Sequence, residues 1–186
     1  MTPTQRHHVV LVSPEGEPKG TAEKLEAHQQ GWLHSAFSLM LYRLNQDGER
    51  EFLLQRRADS KYHSGGLWTN TCCSHPKKDE PVAAAAKRRL YEELGIARPL
   101  DFAMGPVFIY RAELDNGLVE HEWDQVIACE VNHVEMILNP DEVSDCRWWS
   151  EQDIQAALAD SPEQFTAWFS QVFAHICAMT PAHAMA

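Results

Sequence analysis

The chain is short of basic residues. Lysine and arginine number 16 against 27 acidic residues, a net charge of -11 in 186 residues. That balance argues against a nucleic-acid or anionic-membrane surface, and an anionic ligand would need a local concentration of cations or metal. Long apolar runs are absent too: nothing approaches the ~18 residues of a membrane span, and the polar start, Met1 to His8, has no apolar leader segment. The five cysteines (Cys72, Cys73, Cys129, Cys146 and Cys177) are an odd number without the spacing of a disulfide framework. Free thiols in a reducing cytoplasm are expected. Neither repeats nor a second domain are visible. With 44% hydrophobic residues the chain can close one core, and a single domain over residues 1–186 is expected, with about 1–8 and 180–186 as loose tails.

What is present centres on Trp68-Thr69-Asn70-Thr71-Cys72-Cys73-Ser74-His75-Pro76. In an extended chain residues i and i+2 share a side, so Cys73 and His75 look into one pocket while Cys72 and Ser74 look away. A thiol and an imidazole so placed are a reactive pair or a metal pair.

The rest reads as alternating strands and helices. Residues 8–12 form a short apolar strand closed by the turn-rich 13–18, and 21–31, which carries Lys24 and His28, has helical tendencies. His34 opens the next strand. Segments 35–43 and 51–57 flank Asn45-Gln46-Asp47-Gly48, a hairpin signal, and Arg56, Arg57 and Lys61 follow in a loop with Gly65-Gly66. A helix is expected over 81–94, with Pro81 in its first turn, Gly95 just past its end and Val82, Ala86 and Leu90 as its apolar stripe. Arg89 and Glu93 share another face of it. Two strands, 106–113 and 117–131, come next; in the second, Glu120 and Glu122 share a face with His121 opposite. If that face is buried, the two carboxylates need a cation. A strand over 144–149, a short helix over 151–158, and a last helix capped by Ser161, with Pro162 at its first position, end the chain near Met179. The fold class is α/β (α+β), a mixed sheet with helices packed on it.

One spacing sharpens this reading. Ser74, Glu80, Arg88, Arg89, Leu90, Tyr91, Glu92, Glu93, Leu94, Gly95 and Ile96 fall at the positions of the Nudix signature, G-x5-E-x7-R-E-U-x-E-E-x-G-U with U apolar. Ser74 replaces the first glycine, and Arg89 replaces an acid of the cluster that holds magnesium on a diphosphate in Nudix hydrolases. An arginine there suits direct phosphate binding, so the fold is implied while hydrolysis is not. Several further stretches complete the pattern: Lys24…His28, Leu33-His34-Ser35-Ala36-Phe37-Ser38, Gln55-Arg56-Arg57-Ala58, the Trp68 to Pro76 run, Tyr110-Arg111-Ala112, Glu120-x-Glu122 and Trp168. Together they resemble the type I isopentenyl diphosphate isomerases, a branch of the Nudix fold, from about Val9 to Phe169.

The resemblance implies a Nudix-type mixed sheet sandwiched by helices. It also implies an activity, the shift of a carbon-carbon double bond that interconverts isopentenyl and dimethylallyl diphosphate. His28, His34, His75, Glu120 and Glu122 would hold one divalent metal, zinc or manganese. Lys24, Arg57, Lys61 and Arg89 would bind the diphosphate, with magnesium held by Glu93 and the main-chain carbonyl of Cys73. Cys73 would stand on one face of the alkene and Glu122, with Tyr110 hydrogen-bonded near it, on the other. The expected direction has Glu122 and Tyr110 delivering the proton and Cys73 removing one. Trp168 would offer an indole face to the carbocation, and Cys72 would be a packed bystander. The partner is then a small diphosphate, with neither nucleic acid nor membrane, and a monomer is favoured. A Nudix pyrophosphatase and a binding module without chemistry are the other two readings.

Overall fold

The computed structural model describes residues 8–180. Of the expected tails, 1–7 and 181–186 lie outside the described residues. The other two expected tail residues are ordered: His8 begins a strand, and Thr180 is buried, its carbonyl meeting the Arg50 guanidinium.

Nine strands and four helices occur among the described residues. In chain order they are β1 (His8–Val12), β2 (Pro18–Glu23), α1 (Lys24–Gln30), β3 (His34–Leu44), β4 (Arg50–Arg57), β5 (Trp68–Thr69), β6 (Cys72–Ser74), α2 (Val82–Leu94), β7 (Ala103–Glu113), β8 (Val119–Glu130), β9 (Val143–Ser150), α3 (Glu151–Asp160) and α4 (Phe169–Met179).

β3 is the spine. Along one edge it pairs in turn with β1, β6 and β4, all antiparallel; along the other it pairs in parallel with β8, from His34↔Glu122 to Tyr42↔Glu130. Because side chains alternate along a strand, its two faces enter two cores. Phe37, Leu39 and Leu41 pack with Ala85, Ala86, Leu90 and Leu94 of α2. Met40 packs on the other side with Phe169, Val172, Phe173 and Ile176 of α4. This second face changes character along its length. Near the start of β3 it carries His34 and Ser38, and the matching stretch of β8 carries Glu120, Glu122 and Asp124; further on it carries Met40, Val126 and Ala128. The polar end of an otherwise apolar face is where the site lies.

Two elements differ from the sequence-based expectation. Pro18–Glu23 is a strand paired with β1, in register Val9↔Ala22, although it was expected to be a turn running into a helix. It is an edge strand with one buried residue, Ala22, so no apolar alternation marks it. The last helix starts at Phe169: Ser161 and Pro162 instead open a 3-10 turn (Pro162–Gln164). The chain is then held extended by Phe165 bridging to Trp68 and by the Thr166 N–H on the Trp68 carbonyl, 3.0 Å. That detour carries Trp168 to the site.

α2 ends as its sequence predicts. Gly95 takes φ 68° and its N–H caps the carbonyls of Leu90 and Tyr91. A Cβ at that position would lie 2.9 Å from the Ile137 carbonyl oxygen. Gly95→Ala should therefore lower stability by about 1–2 kcal/mol, through left-handed strain and this clash. A urea unfolding midpoint equal to that of the parent chain would contradict this.

Candidate active site

Strand register brings the site residues together. His34 on β3 lies beside Glu122 on β8, Tyr110 on β7 lies opposite Glu122, and Ser38 on β3 lies opposite Cys73 on β6. Cys73 and Glu122 thus reach β3 from opposite edges and border one cavity. α1 adds Lys24 and His28, one turn apart; its start is capped by the Glu23 carboxylate and its end turns on Gly31 at φ 65°. α2 adds Arg89 and Glu93, and the loop after β4 adds Lys61 and His63.

The ligand atoms of His28, His34, His75 and Glu122 all lie within 4.8 Å of one another. Glu122 Oε1 is 3.0 Å from His75 Nε2 and 3.7 Å from His34 Nε2. His34 Nδ1 is 2.8 Å from the Trp32 carbonyl, which only accepts, so that nitrogen carries the hydrogen and Nε2 is a bare lone pair aimed at a carboxylate. Nε2 of His28 is buried and, like that of His34, has no hydrogen-bond partner. A proton does not supply the missing positive charge. Burial, with the charge of neighbouring rings, holds His28 down to about 3 and burial takes His75 to about 4. Burial pushes Glu122 up, but the imidazoles of His34 and His75 outweigh it and keep it below the usual carboxylate range. Three imidazoles around a carboxylate fit a divalent metal ion.

Glu120 sits one step away from this group. It clusters with His28 and His63, with its Oε1 3.3 Å from His63 Nε2 and 4.0 Å from His28 Nε2. Burial and the Glu122 charge raise it to about 8. The phenol of Tyr110 donates to Glu120 Oε2, a correction to the expected bond to Glu122. The cross-strand geometry explains it: the long phenol passes its direct partner and meets the carboxylate two residues along β8.

Cys73 has a dense polar shell. Its thiol donates to Asn70 Oδ1 at 2.8 Å, and its sulfur accepts the Trp168 indole N–H at 3.1 Å and lies 3.4 Å from Ser38 Oγ. Burial and the nearby Asp124 carboxyl push the thiol well above its ordinary pKa, so it is protonated. Asp124 is itself buried, accepts from Ser38 at 2.7 Å, and is pushed far up by burial and by Glu122. Burial thus favours a proton on the Cys73 sulfur, while the imidazoles disfavour one on Glu122. Cys72, one residue away, is fully buried in the α2-side core.

Four cations, Lys24, Arg57, Lys61 and Arg89, line the same cavity, balanced by Glu93, Glu120, Glu122 and Glu142. Arg57 Nε and Arg89 Nε are buried without a hydrogen-bond partner, which suits an anionic ligand. Lys61 and Arg89 both meet the Glu142 carboxylate, at 2.5 and 3.3 Å. Glu93 accepts from Gln55 at 2.8 Å and from Arg89 at 2.5 Å. The Arg57 guanidinium carbon lies 5.6 Å from the Trp168 ring centroid.

The cavity therefore gathers every residue singled out in the sequence except His28, His34 and Tyr110, which touch it through Glu120 and Glu122. Sequence reasoning missed His63, Glu142, Ser38 and Asp124. Only Asp124 had a usable signal, since it extends the Glu120-x-Glu122 alternation by one more step on the same face. His63 and Glu142 lie in loops, where no periodicity marks an inward residue.

A family profile for the NUDIX domain matches residues 33–169. The fold is shared with solved structures of low identity. A crystal structure of a protein from Deinococcus radiodurans superposes with a TM-score of 0.70 at 15% identity, over 91% of this chain and 98% of that one. A binary complex of an Ap4A hydrolase from C. elegans gives 0.53 at 19% identity, over 78% of this chain and 96% of that one. An isopentenyl-diphosphate Delta-isomerase from Photobacterium profundum is 52% identical over 168 residues, 90% of this chain and 93% of its own length. One from Aliivibrio fischeri is 53% identical over 168 residues, 89% and 92% of the two chains. The chain belongs to the isopentenyl-diphosphate Delta-isomerase family, within the Nudix domain class.

Lys24 makes anion binding dependent on pH. Burial and the charges of Lys61 and Arg57 lower its pKa to about 8. Below that value it is charged and attracts an anion; above it the charge is lost. Affinity for inorganic pyrophosphate, measured by calorimetry from pH 6.5 to 9.5 (roughly the span over which such a group titrates), should fall above about pH 8, and Lys24→Arg should remove the fall. A flat profile for the parent chain would contradict this.

Proposed function

We propose that this protein interconverts isopentenyl diphosphate and dimethylallyl diphosphate, with Cys73 and Glu122 as the proton-transfer pair. One observation carries the reading: a protonated thiol and a deprotonated carboxylate border one cavity whose lining also holds four cations.

Lys24, Arg57, Lys61 and Arg89 bind the diphosphate and fix the five-carbon chain between the two strands that carry Cys73 and Glu122. The Cys73 S–H gives its proton to C4, the terminal alkene carbon, leaving a thiolate and a tertiary cation at C3. A C2 hydrogen then passes as a proton to Glu122, and its bonding pair forms the new C2–C3 double bond. Both imidazole contacts of Glu122 fall on Oε1, which leaves Oε2 for this role. Proton return from Glu122 to the thiolate, through solvent after product leaves, resets the pair. Trp168 holds the sulfur through its indole N–H, and its ring offers a cation-π contact of about 2 kcal/mol to the carbocation.

In this reading His28, His34, His75 and Glu122, with Glu120 beside them, would hold one manganese or zinc ion. Glu93 and the Cys73 carbonyl would hold magnesium. Bound there, these ions would keep Glu122 ionised and offset phosphate charge. Arg89 stands where a Nudix hydrolase has an acid, and its pairing with Glu92 and Glu93, at 2.7 and 2.5 Å, speaks against a hydrolytic metal cluster. A reducing cytoplasm and a monomeric state complete the proposal; five unbridged cysteines support the first.

NMR of isopentenyl diphosphate in heavy water tests the chemistry. The parent chain should place deuterium in the new methyl group of dimethylallyl diphosphate and release no phosphate. Cys73→Ala and Glu122→Gln should each slow this by roughly 10²–10⁴-fold, the usual contribution of a positioned acid or base. Parent-like rates in either variant, or phosphate release by the parent, would overturn the assignment.

A further inference from the structure

Two neighbouring side chains on the loop after β4 stand directly behind residues of the metal centre. The Tyr62 hydroxyl is 3.0 Å from His28 Nδ1, and His63 Nε2 is 3.3 Å from Glu120 Oε1. His63 is almost wholly buried, and its other nitrogen lies 3.1 Å from the Ser64 hydroxyl. Ser64 is held at φ 54°, a left-handed conformation that a residue with a Cβ rarely adopts. The surrounding loop therefore keeps a strained serine where it can serve His63.

One His63 tautomer serves both contacts: with the hydrogen on Nε2 a donor faces Glu120 Oε1, and Nδ1 accepts from the Ser64 hydroxyl. Glu120 is then gripped on both oxygens, by His63 on Oε1 and by Tyr110 on Oε2. The His28 ring is fixed by its Nδ1 contact to Tyr62, which turns its unpartnered Nε2 toward the other imidazoles. His28, His63 and Glu120 also form a donor group of their own, but this group needs the same His28 Nε2 as the group containing His34, His75 and Glu122. One ring nitrogen cannot serve both, and His63 is the member left to act on Glu120 from outside the ligand set, through their 3.3 Å contact.

We infer that Tyr62 and His63 are positioning residues of the metal centre, Tyr62 aiming His28 and His63 locking Glu120. The inference rests on the proposed metal-centre reading. Because Lys61 precedes them, one loop supplies both an anion-binding cation and the outer support of the metal ligands. Outer partners of this kind set how long an ion is retained.

Release of cobalt(II) from the loaded full-length chain tests the inference independently of turnover, by loss of the cobalt absorption band in excess EDTA. His63→Ala and His63→Leu should release the ion about 10–100-fold faster than the parent. His63→Gln, whose amide can still donate to Glu120, should recover most of the hold, and Tyr62→Phe should also release faster. Parent-like release from His63→Leu would make the residue a packing group and overturn the inference while leaving the metal centre intact. A folded parent chain that takes up no cobalt would instead overturn the metal-centre reading and the inference with it.

Discussion

Glu120 and Glu122 are buried two residues apart on one face of one strand, and the rest of the site is arranged so that this can be tolerated. An uncompensated buried carboxylate costs several kcal/mol, and a second one beside it costs more. The fold meets the demand with three imidazoles from three elements, His28 from α1, His34 from β3 and His75 from just past β6. Their ring nitrogens converge on the Glu122 carboxylate. A divalent metal ion in this group would satisfy both sides at once.

The same requirement explains how the sheet is used. One face of the β3–β8 pair is polar at one end, with His34 and Ser38 beside Glu120, Glu122 and Asp124, and apolar at the other, with Met40 beside Val126 and Ala128. Cys73 and Glu122 come from strands on opposite edges of β3, so their separation is set by sheet geometry and not by loops. Loops supply the groups with more freedom: Lys61 and Glu142 for the anion, His63 for the outer support. The site thus combines groups fixed by strand register with groups carried on loops.

Much of this could be read from residue order. The alternation of Glu120 and Glu122 against His121 and the spacing of Cys73 and His75 gave the inward-facing sets, because a strand fixes which side a residue faces. Gly95 and the Ala-rich stripe of α2 marked a helix and its end. What could not be read depended on contacts between distant segments. Tyr110 was expected near Glu122 and meets Glu120, since the reach of a phenol across two strands is a matter of sheet twist. The raised pKa of the Cys73 thiol depends on its depth of burial and on the company of Asp124, and neither follows from a local pattern. β2 escaped notice because an exposed edge strand needs no apolar face, and the start of α4 was misplaced because Ser161-Pro162 serves a 3-10 turn as well as a helix.

The most direct measurement is anomalous X-ray diffraction from crystals of the protein as purified, recorded on both sides of the manganese and zinc absorption edges. The account predicts a single strong peak at about 2.0–2.3 Å from the Nε2 atoms of His28, His34 and His75 and from a Glu122 oxygen. No anomalous peak there, with those imidazoles hydrogen-bonded to ordered waters, would contradict it.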